Sequence, residues 1–326
     1  MPQDCNPFSG ADYSSPETYV DRDGIVRKIV QGLRETANDN PKNFMILGER
    51  RMGKTSTLNF IRLRLTESLD NGYRFLSVVI RLQSDCTRQI LIESIERDIR
   101  TEIATLNYLE KSKFKFRQLL GVISQINILG TGGGVNLQNI TSNDITELAK
   151  FVTKNSNKAS LPKEGLKSGI VFMLDETDRA PDELELGEFL WIMNQAIRDN
   201  QCKNTCFIVS GRPQIETKLI ESHDSIDDLF SRVRLNDLDK NQTFKLLKNG
   251  IRSANRKRHT NSYTRLITME DGIMNEIYTV TNGRPDLVQK LASSMYTYAQ
   301  EDLIKITDLK NCPKYISIMN SNESNS

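Results

Sequence analysis

The sequence predicts an α/β protein with a parallel sheet flanked by helices, followed by a small all-helical domain. Three observations carry this. Apolar strand-like runs alternate with helix-period segments up to Leu235; one strand runs without a break through a glycine-rich loop into a helix, from Phe44 to about Leu65; strand patterns then stop. The first segment, GIVRKIVQGLRET at 24–36, spaces Ile25, Ile29, Val30 and Leu33 as a helix, and an Asn/Asp/Pro cluster ends it. NFMILG follows as a short buried strand. RFLSVVIRL, roughly 74–82, is the second, with a long helix carrying Ile90, Ile95 and Ile99 after it. The segment GVISQINILGTGGGVNLQNI, about 121–140, alternates apolar and polar residues around Thr131–Gly134 and suggests an inserted hairpin. A Lys/Ser/Asn-rich loop at 153–168 leads into GIVFMLDE, the most apolar strand, and TCFIVSG ends another at Gly211. Helical patterns without strands occupy about 236–312: Phe244, Leu247 and Ile251, then Ile273, Ile277 and Val280, then Leu287, Val288 and Leu291. The expected organisation is a lead-in segment 1–18, an α/β domain 19–235, a helical domain 236–312 and a disordered polar tail 313–326.

Composition narrows the function classes. A chain of 326 residues is long enough for about two domains. Lys and Arg total 44 against 42 acidic residues, so a net charge of +2 creates no field that would by itself select nucleic acid or a membrane. The cysteines Cys5, Cys86, Cys202, Cys206 and Cys312 are odd in number and form no paired framework, which points to a reducing compartment. Cys202 and Cys206 lack a second cysteine pair, and His223 and His259 are remote, so a zinc site is not expected. The N-terminus is polar and no run approaches 18 apolar residues, which reads as a soluble, cytoplasmic protein without membrane spans.

The octapeptide GERRMGKT fits G-x-x-x-x-G-K-[ST] in full, between an apolar strand and a helix, as a phosphate-binding P-loop requires. Gly48 and Gly53 let backbone N–H groups curl around a β-phosphate, Lys54 neutralises β/γ charge, and Thr55 offers a hydroxyl to Mg²⁺. Arg50, Arg51, Met52 and Ser56 complete the candidate nucleotide contacts. The alternative is a chance glycine turn at a strand-to-helix junction. A second motif, Ile170–Leu174 followed by Asp175 and Glu176, ends an apolar strand in two carboxylates. Asp175 is the candidate for the magnesium shell and Glu176 the candidate base that polarises an attacking water. A solvated acidic turn is the plain alternative. A dedicated water-activating glutamate favours hydrolysis of ATP over transfer to an acceptor. Ser210, at the end of the next buried strand, is a candidate γ-phosphate sensor with Arg212 close by; an ordinary turn serine is the competing reading.

These residues, with Asn6-Pro7-Phe8, Tyr19-Val20-Asp21-Arg22-Asp23, IVSGRP and Asn282-Gly283-Arg284-Pro285, resemble prokaryotic AAA+/STAND-type P-loop ATPases. More narrowly they resemble the archaeal and bacterial ATPases of the origin-recognition initiator-like group, over about residues 6–310. The resemblance implies that Tyr19, Val20 and Arg22 lie against adenine, with Asp21 where the family has glycine. It also implies that Gly283–Pro285 in a helical lid faces the nucleotide, Pro285 near the base and Arg284 near phosphate. By itself that tripeptide is a helix-to-helix turn with proline at the first helical position. Arg232 falls where ring-forming relatives often carry an arginine finger acting in trans, with Arg234 as the neighbouring choice and a solvated surface arginine as the alternative. Arg256, Lys257, Arg258 and His259 read as a phosphate-backbone contact or as a solvated helix end. Trp191, with Phe189, Leu190 and Ile192, reads as core.

The function this implies is an ATP-binding and ATP-hydrolysing switch coupling nucleotide state to lid closure, oligomerisation or partner binding. Few residues follow the lid, where initiator-type relatives often continue into a winged helix, so the output is expected in a homo-oligomer or a separate effector protein. The alternatives are a DNA-associated initiator-like or transposition-regulator ATPase, and a non-hydrolysing nucleotide-dependent scaffold or sensor.

Overall fold

A computed structural model describes residues 6–8, 18–20, 22, 24–66, 75–110, 142–159, 169–260, 266–299 and 301–323. The α/β domain runs α1 (Ile25–Ala37), β1 (Asn43–Leu47), α2 (Lys54–Thr66), β2 (Leu76–Arg81), α3 (Arg88–Glu110), α4 (Ser142–Ala159), β3 (Ile170–Asp175), α5 (Leu186–Asp199), β4 (Thr205–Gly211), α6 (Gln214–Ser222), the single turn α7 (Ile226–Leu229) and β5 (Phe230–Arg234). The five strands form one parallel sheet in the order β2-β3-β4-β1-β5. β1, β3 and β4 are buried along their whole length, so both of their faces need apolar side chains and they read as unbroken apolar runs. Met45, Leu47, Phe172, Leu174 and Val209 pack one face against α3, α4, α5 and α6; Phe44, Ile46, Val171, Met173 and Ile208 pack the other against α1 and α2. Cys202 belongs to the first cluster and Cys206 to the second, so the two thiols share no site.

The structure corrects several expectations. β5, FSRVR, is a fifth strand that its polar pattern hid: it lies at the sheet edge, with Phe230 and Val233 buried and Ser231 and Arg234 exposed. In α3 the buried positions are Leu91, Ile95 and Ile99, whereas Ile90 faces outward, 45% exposed. The segment proposed as a hairpin, 121–140, lies outside the described residues.

The helical unit comprises α8 (Lys240–Thr260), β6 (Thr268–Met269), α9 (Ile273–Thr281), α10 (Pro285–Tyr298), β7 (Leu303–Ile304), α11 (Ile306–Asn311) and α12 (Pro313–Glu323). It is not strand-free, because β6 and β7 pair in parallel over two residues each. Nor is the segment after 312 disordered up to 323. α12 buries Ile318 in the helical core, and the Tyr315 hydroxyl donates to Glu276 Oε1 at 2.6 Å, two anchors that a Ser/Asn-rich composition conceals. Among the described residues no helix is long and apolar enough to cross a membrane.

Two stretches of chain join the bodies. After β5, Leu235 packs into the sheet and Leu238 into the helical core, where the Leu238 N–H donates to the Gly283 carbonyl at 2.9 Å. Gly283 has φ 71°, and a Cβ there would strike the Leu238 carbonyl oxygen, so only glycine fits. The second stretch is the lead-in. Asn6 Nδ2 donates to the Ser293 carbonyl and to Thr297 Oγ1 on α10, and Phe8 is buried against α8, edge-on to Tyr296 with ring centroids 6.4 Å apart. A Cβ on Gly250 would occupy the space of the Phe8 ring. Further on, Tyr19 packs with the sheet cluster while its neighbour Val20 packs with the helical one.

Candidate phosphate-binding site

Strand order puts the candidate residues in one place. β3 and β1 both flank β4, so their carboxyl ends bring Asp175, Ser210 and the loop after Leu47 together beyond the sheet, where ligands of open parallel sheets bind. Asp175 is buried and accepts three hydrogen bonds: from Thr55 Oγ1 to Oδ2 at 2.6 Å, from the Glu176 N–H to Oδ1 at 2.9 Å, and from Ser210 Oγ to Oδ1. Thr55 and Asp175 come from motifs 120 positions apart and meet directly. Both contribute hard oxygen donors, the type that holds Mg²⁺ alongside substrate phosphates, so the residues fit that ion.

Lys54 opens α2. Its Nζ donates to the Gly48 carbonyl at 2.7 Å and to the Glu49 carbonyl at 3.0 Å, folding the ammonium back over its own loop. Partial burial lowers the Lys54 pKa below 10.5; the fields of Asp178 and Asp175 act in the opposite direction, and that of Arg212 lowers it again. Asp178 is the residue that the sequence reading missed. It accepts the Arg212 N–H at 3.1 Å and lies 3.1 Å from Arg212 Nε, giving the mouth of the site a second carboxylate. The signal was present in LDETDR, three positions after Asp175, but acidic residues in a turn are common. Thr177 Oγ1 donates to the Ser210 carbonyl at 2.9 Å and ties the two strand ends together.

Glu176 follows Asp175 with φ 55°, a left-handed conformation that costs a non-glycine residue roughly 1–3 kcal/mol. Its Oε2 lies 2.8 Å from Arg179 Nη1 without hydrogen-bond alignment. Within the P-loop, Arg51 also has positive φ, 70°, and Gly53 has 88°. Arg50 is exposed, Met52 packs partly against the sheet cluster, and Ser56 is buried in the first turn of α2.

The N-terminal residues converge here too. Arg22 is buried; its Nη1 donates to the Asn236 carbonyl at 2.7 Å and its Nη2 to the Met52 carbonyl, so it joins the P-loop to the linker between the bodies. Tyr19 stacks on Phe60, centroids 4.3 Å apart, and donates to Thr57 Oγ1 at 3.1 Å. Val20 is buried on the helical side. Across from the loop, Arg284 occupies the N-cap position of α10 without a side-chain capping hydrogen bond, Pro285 is the first helical residue, and Asp286 lies 3.7 Å from Arg51 Nη1.

Arg232 is occupied within its own chain. It pairs with Glu216 at 2.5 Å and with Asp227, and it donates to the Asp227 carbonyl at 3.0 Å; Arg234 shares Glu216 at 2.6 Å. Trp191 is partly buried and stacks on His223, centroids 4.3 Å apart. Arg256 lies in α8; the side chains of Lys257, Arg258 and His259 are outside the described residues.

No family model matches the chain, and no curated protein matches it. Solved structures do. The ORC2 protein of Aeropyrum pernix, determined as ADPNP–ADP complexes, superposes with TM-score 0.53 at 12% identity, covering 97% of this chain and 72% of that one. Its ADP form gives TM-score 0.52 at 11% identity, over 95% and 71%. Cdc6p of Pyrobaculum aerophilum gives 0.50 at 12%, over 92% of this chain and 62% of that one. The chain has the fold of the ORC/Cdc6-type AAA+ P-loop ATPases, the α/β sheet and helical unit that the motifs imply.

Proposed function

We propose that this protein binds and hydrolyses ATP and uses nucleotide state to set the position of its helical lid, as a STAND-type switch does. The observation that carries the reading is the contact between Thr55 and Asp175, which joins the two motifs of a P-loop ATPase in one oxygen-lined site. The ORC2 complexes with ADPNP and ADP support the same ligand class.

Each residue has a task in this reading. Lys54 exchanges its two loop carbonyls for β/γ-phosphate oxygens, a trade of neutral acceptors for charged ones. Thr55 and Asp175 hold magnesium, which when bound neutralises phosphate charge. Ser210 and the Glu176 N–H fix the Asp175 carboxylate, and Asp178 with Arg212 keeps charge balanced around Lys54. Glu176 takes a proton from the attacking water as the new bond to the γ-phosphorus forms and the bond to ADP breaks; Arg179 must first let its carboxylate go. Tyr19, Val20, Arg22, Arg284 and Pro285 carry the nucleotide's effect to the lid.

Lys54→Ala should weaken ATP binding about 10- to 100-fold, the value of charge-assisted hydrogen bonds. Glu176→Gln should keep binding and lower hydrolysis about 10²–10⁴-fold. Unchanged ATP binding in the first variant defeats the reading. Unchanged turnover in the second removes Glu176 as base and leaves a nucleotide-dependent scaffold. Homo-oligomerisation enters through Arg232: serving a second copy requires it to leave Glu216 and Asp227, so sizing with and without ATP is the test, and a monomer in both states removes the finger.

A further inference from the structure

Asp286 is the second residue of α10, and its side chain is 10% exposed. Three cations surround it, none at hydrogen-bond distance. Arg51 Nη1 and Lys290 Nζ stand 3.7 and 3.6 Å from Oδ2, and Arg284 Nη2 stands 3.6 Å from Oδ1. Oδ2 is buried and receives no hydrogen bond among the described residues. A buried carboxylate oxygen left so is unfavourable, and a helix-capping acid would relieve it by accepting N–H groups. The charge is thus held by long ion pairs without a hydrogen bond from these cations, between two bodies: Arg51 belongs to the P-loop, Arg284 and Lys290 to the lid.

We propose that Asp286 is an intramolecular competitor of the nucleotide, a carboxylate that holds Arg51 and Arg284 until the phosphates of ATP displace it. The inference rests on the nucleotide reading above and adds a regulator to that site. Arg51, in the P-loop, and Arg284, at the start of the lid helix, both face the same anion. A triphosphate brings more negative charge than one carboxylate and offers oxygens to all the site's donors, so it wins the exchange. Once Arg51 turns to phosphate, the ion pair that joins loop to lid opens. ATP binding thereby frees the lid from the P-loop arginine and re-attaches it through the nucleotide.

The test is a double-variant cycle read by Mg-ATP titration. Asp286→Asn should bind ATP about three- to tenfold more tightly than the unaltered protein, since two partly exposed ion pairs no longer compete. The gain should shrink at high salt and in an Arg51→Gln background, and vanish in an Arg51→Gln/Arg284→Gln background, where the competitor has lost both guanidinium partners. Asp286→Ser, a residue compatible with a helix start, repeats the measurement should the asparagine variant fold poorly. Affinity that is unchanged or weaker in a folded variant overturns the proposal, as does a gain that persists beside Arg51→Gln/Arg284→Gln. Failure of the unaltered protein to bind ATP, or of Lys54→Ala to weaken binding, overturns the underlying nucleotide reading instead.

Discussion

Asp175 and Asp286 meet P-loop residues from different bodies, and they are held in opposite ways. Asp175, at the end of β3, accepts three hydrogen bonds and is fixed by residues from α2, β4 and its own backbone. Asp286, at the start of α10, meets three cations and forms a hydrogen bond with none of them, and its Oδ2 is unsatisfied. Under the proposed function, a floor that must keep its shape through a reaction cycle is cross-linked, and a contact that must open is left loose. The core supplies the first and the lid the second.

The largest effect should come from the lid's attachment. Phe8→Ala removes a buried ring wedged between α8 and α10 and should cost about 3–5 kcal/mol. Thermal or urea unfolding checks it. If the loss appears in a separate lid transition, the two bodies are independently held; a single shifted transition means the difference between them is confined to the carboxylates. Next is the floor: Ser210→Ala deprives Asp175 Oδ1 of a donor inside the protein and should cost about 1–3 kcal/mol in urea unfolding, and a loss below about 0.5 kcal/mol would mean Asp175 is not rigidly held.

The third effect concerns charge. Burial depresses the Lys54 pKa below its ordinary 10.5, so the folded protein gives up this proton before the unfolded chain does. Stability should therefore rise slightly with pH in the window between the depressed value and 10.5, because the unfolded state binds the extra proton there. ATP affinity should move the opposite way and fall as pH climbs through the depressed value, since phosphate needs the ammonium. Titrations carried upward from neutral pH to 10.5 measure this, and Lys54→Arg, which stays charged, should flatten the fall. The smallest effect belongs to the loose carboxylate's outermost partner. Lys290→Gln opens an ion pair whose lysine is 48% exposed and should change stability by no more than about 0.5 kcal/mol; a larger loss would make Asp286 as rigidly held as Asp175.

How much of this was legible depends on what buried each residue. β1, β3 and β4 announced themselves because strands covered on both faces must be apolar throughout. β5 did not, since an edge strand alternates with solvent. Gly48–Thr55 and Asp175 were legible as a candidate site because phosphate and magnesium chemistry would demand those residue types in that order, and the structure brings Thr55 and Asp175 into contact. Asp178 and Asp286 were not. Each is an acid near a helical turn, where the backbone dipole alone accounts for it, and only the fold reveals the arginines that reach it. Tyr315 and Ile318 were hidden by the serines and asparagines around them.

The adjacency of Tyr19 and Val20 constrains how such a lid can travel. Consecutive Cα atoms are about 3.8 Å apart, and these two are anchored in different bodies, so sliding apart by more than a few ångströms would tear one of them out. The linker from Leu235 to Leu238 pins a second point in the same manner. Two pinned points define an axis, as the pins of a door do, and rotation about it is the one rigid displacement that strains neither. Spin labels on α10 and α2 should change separation when ATP is added, while a pair bracketing either pin should not. Equal changes at both would mean the lid has left its axis.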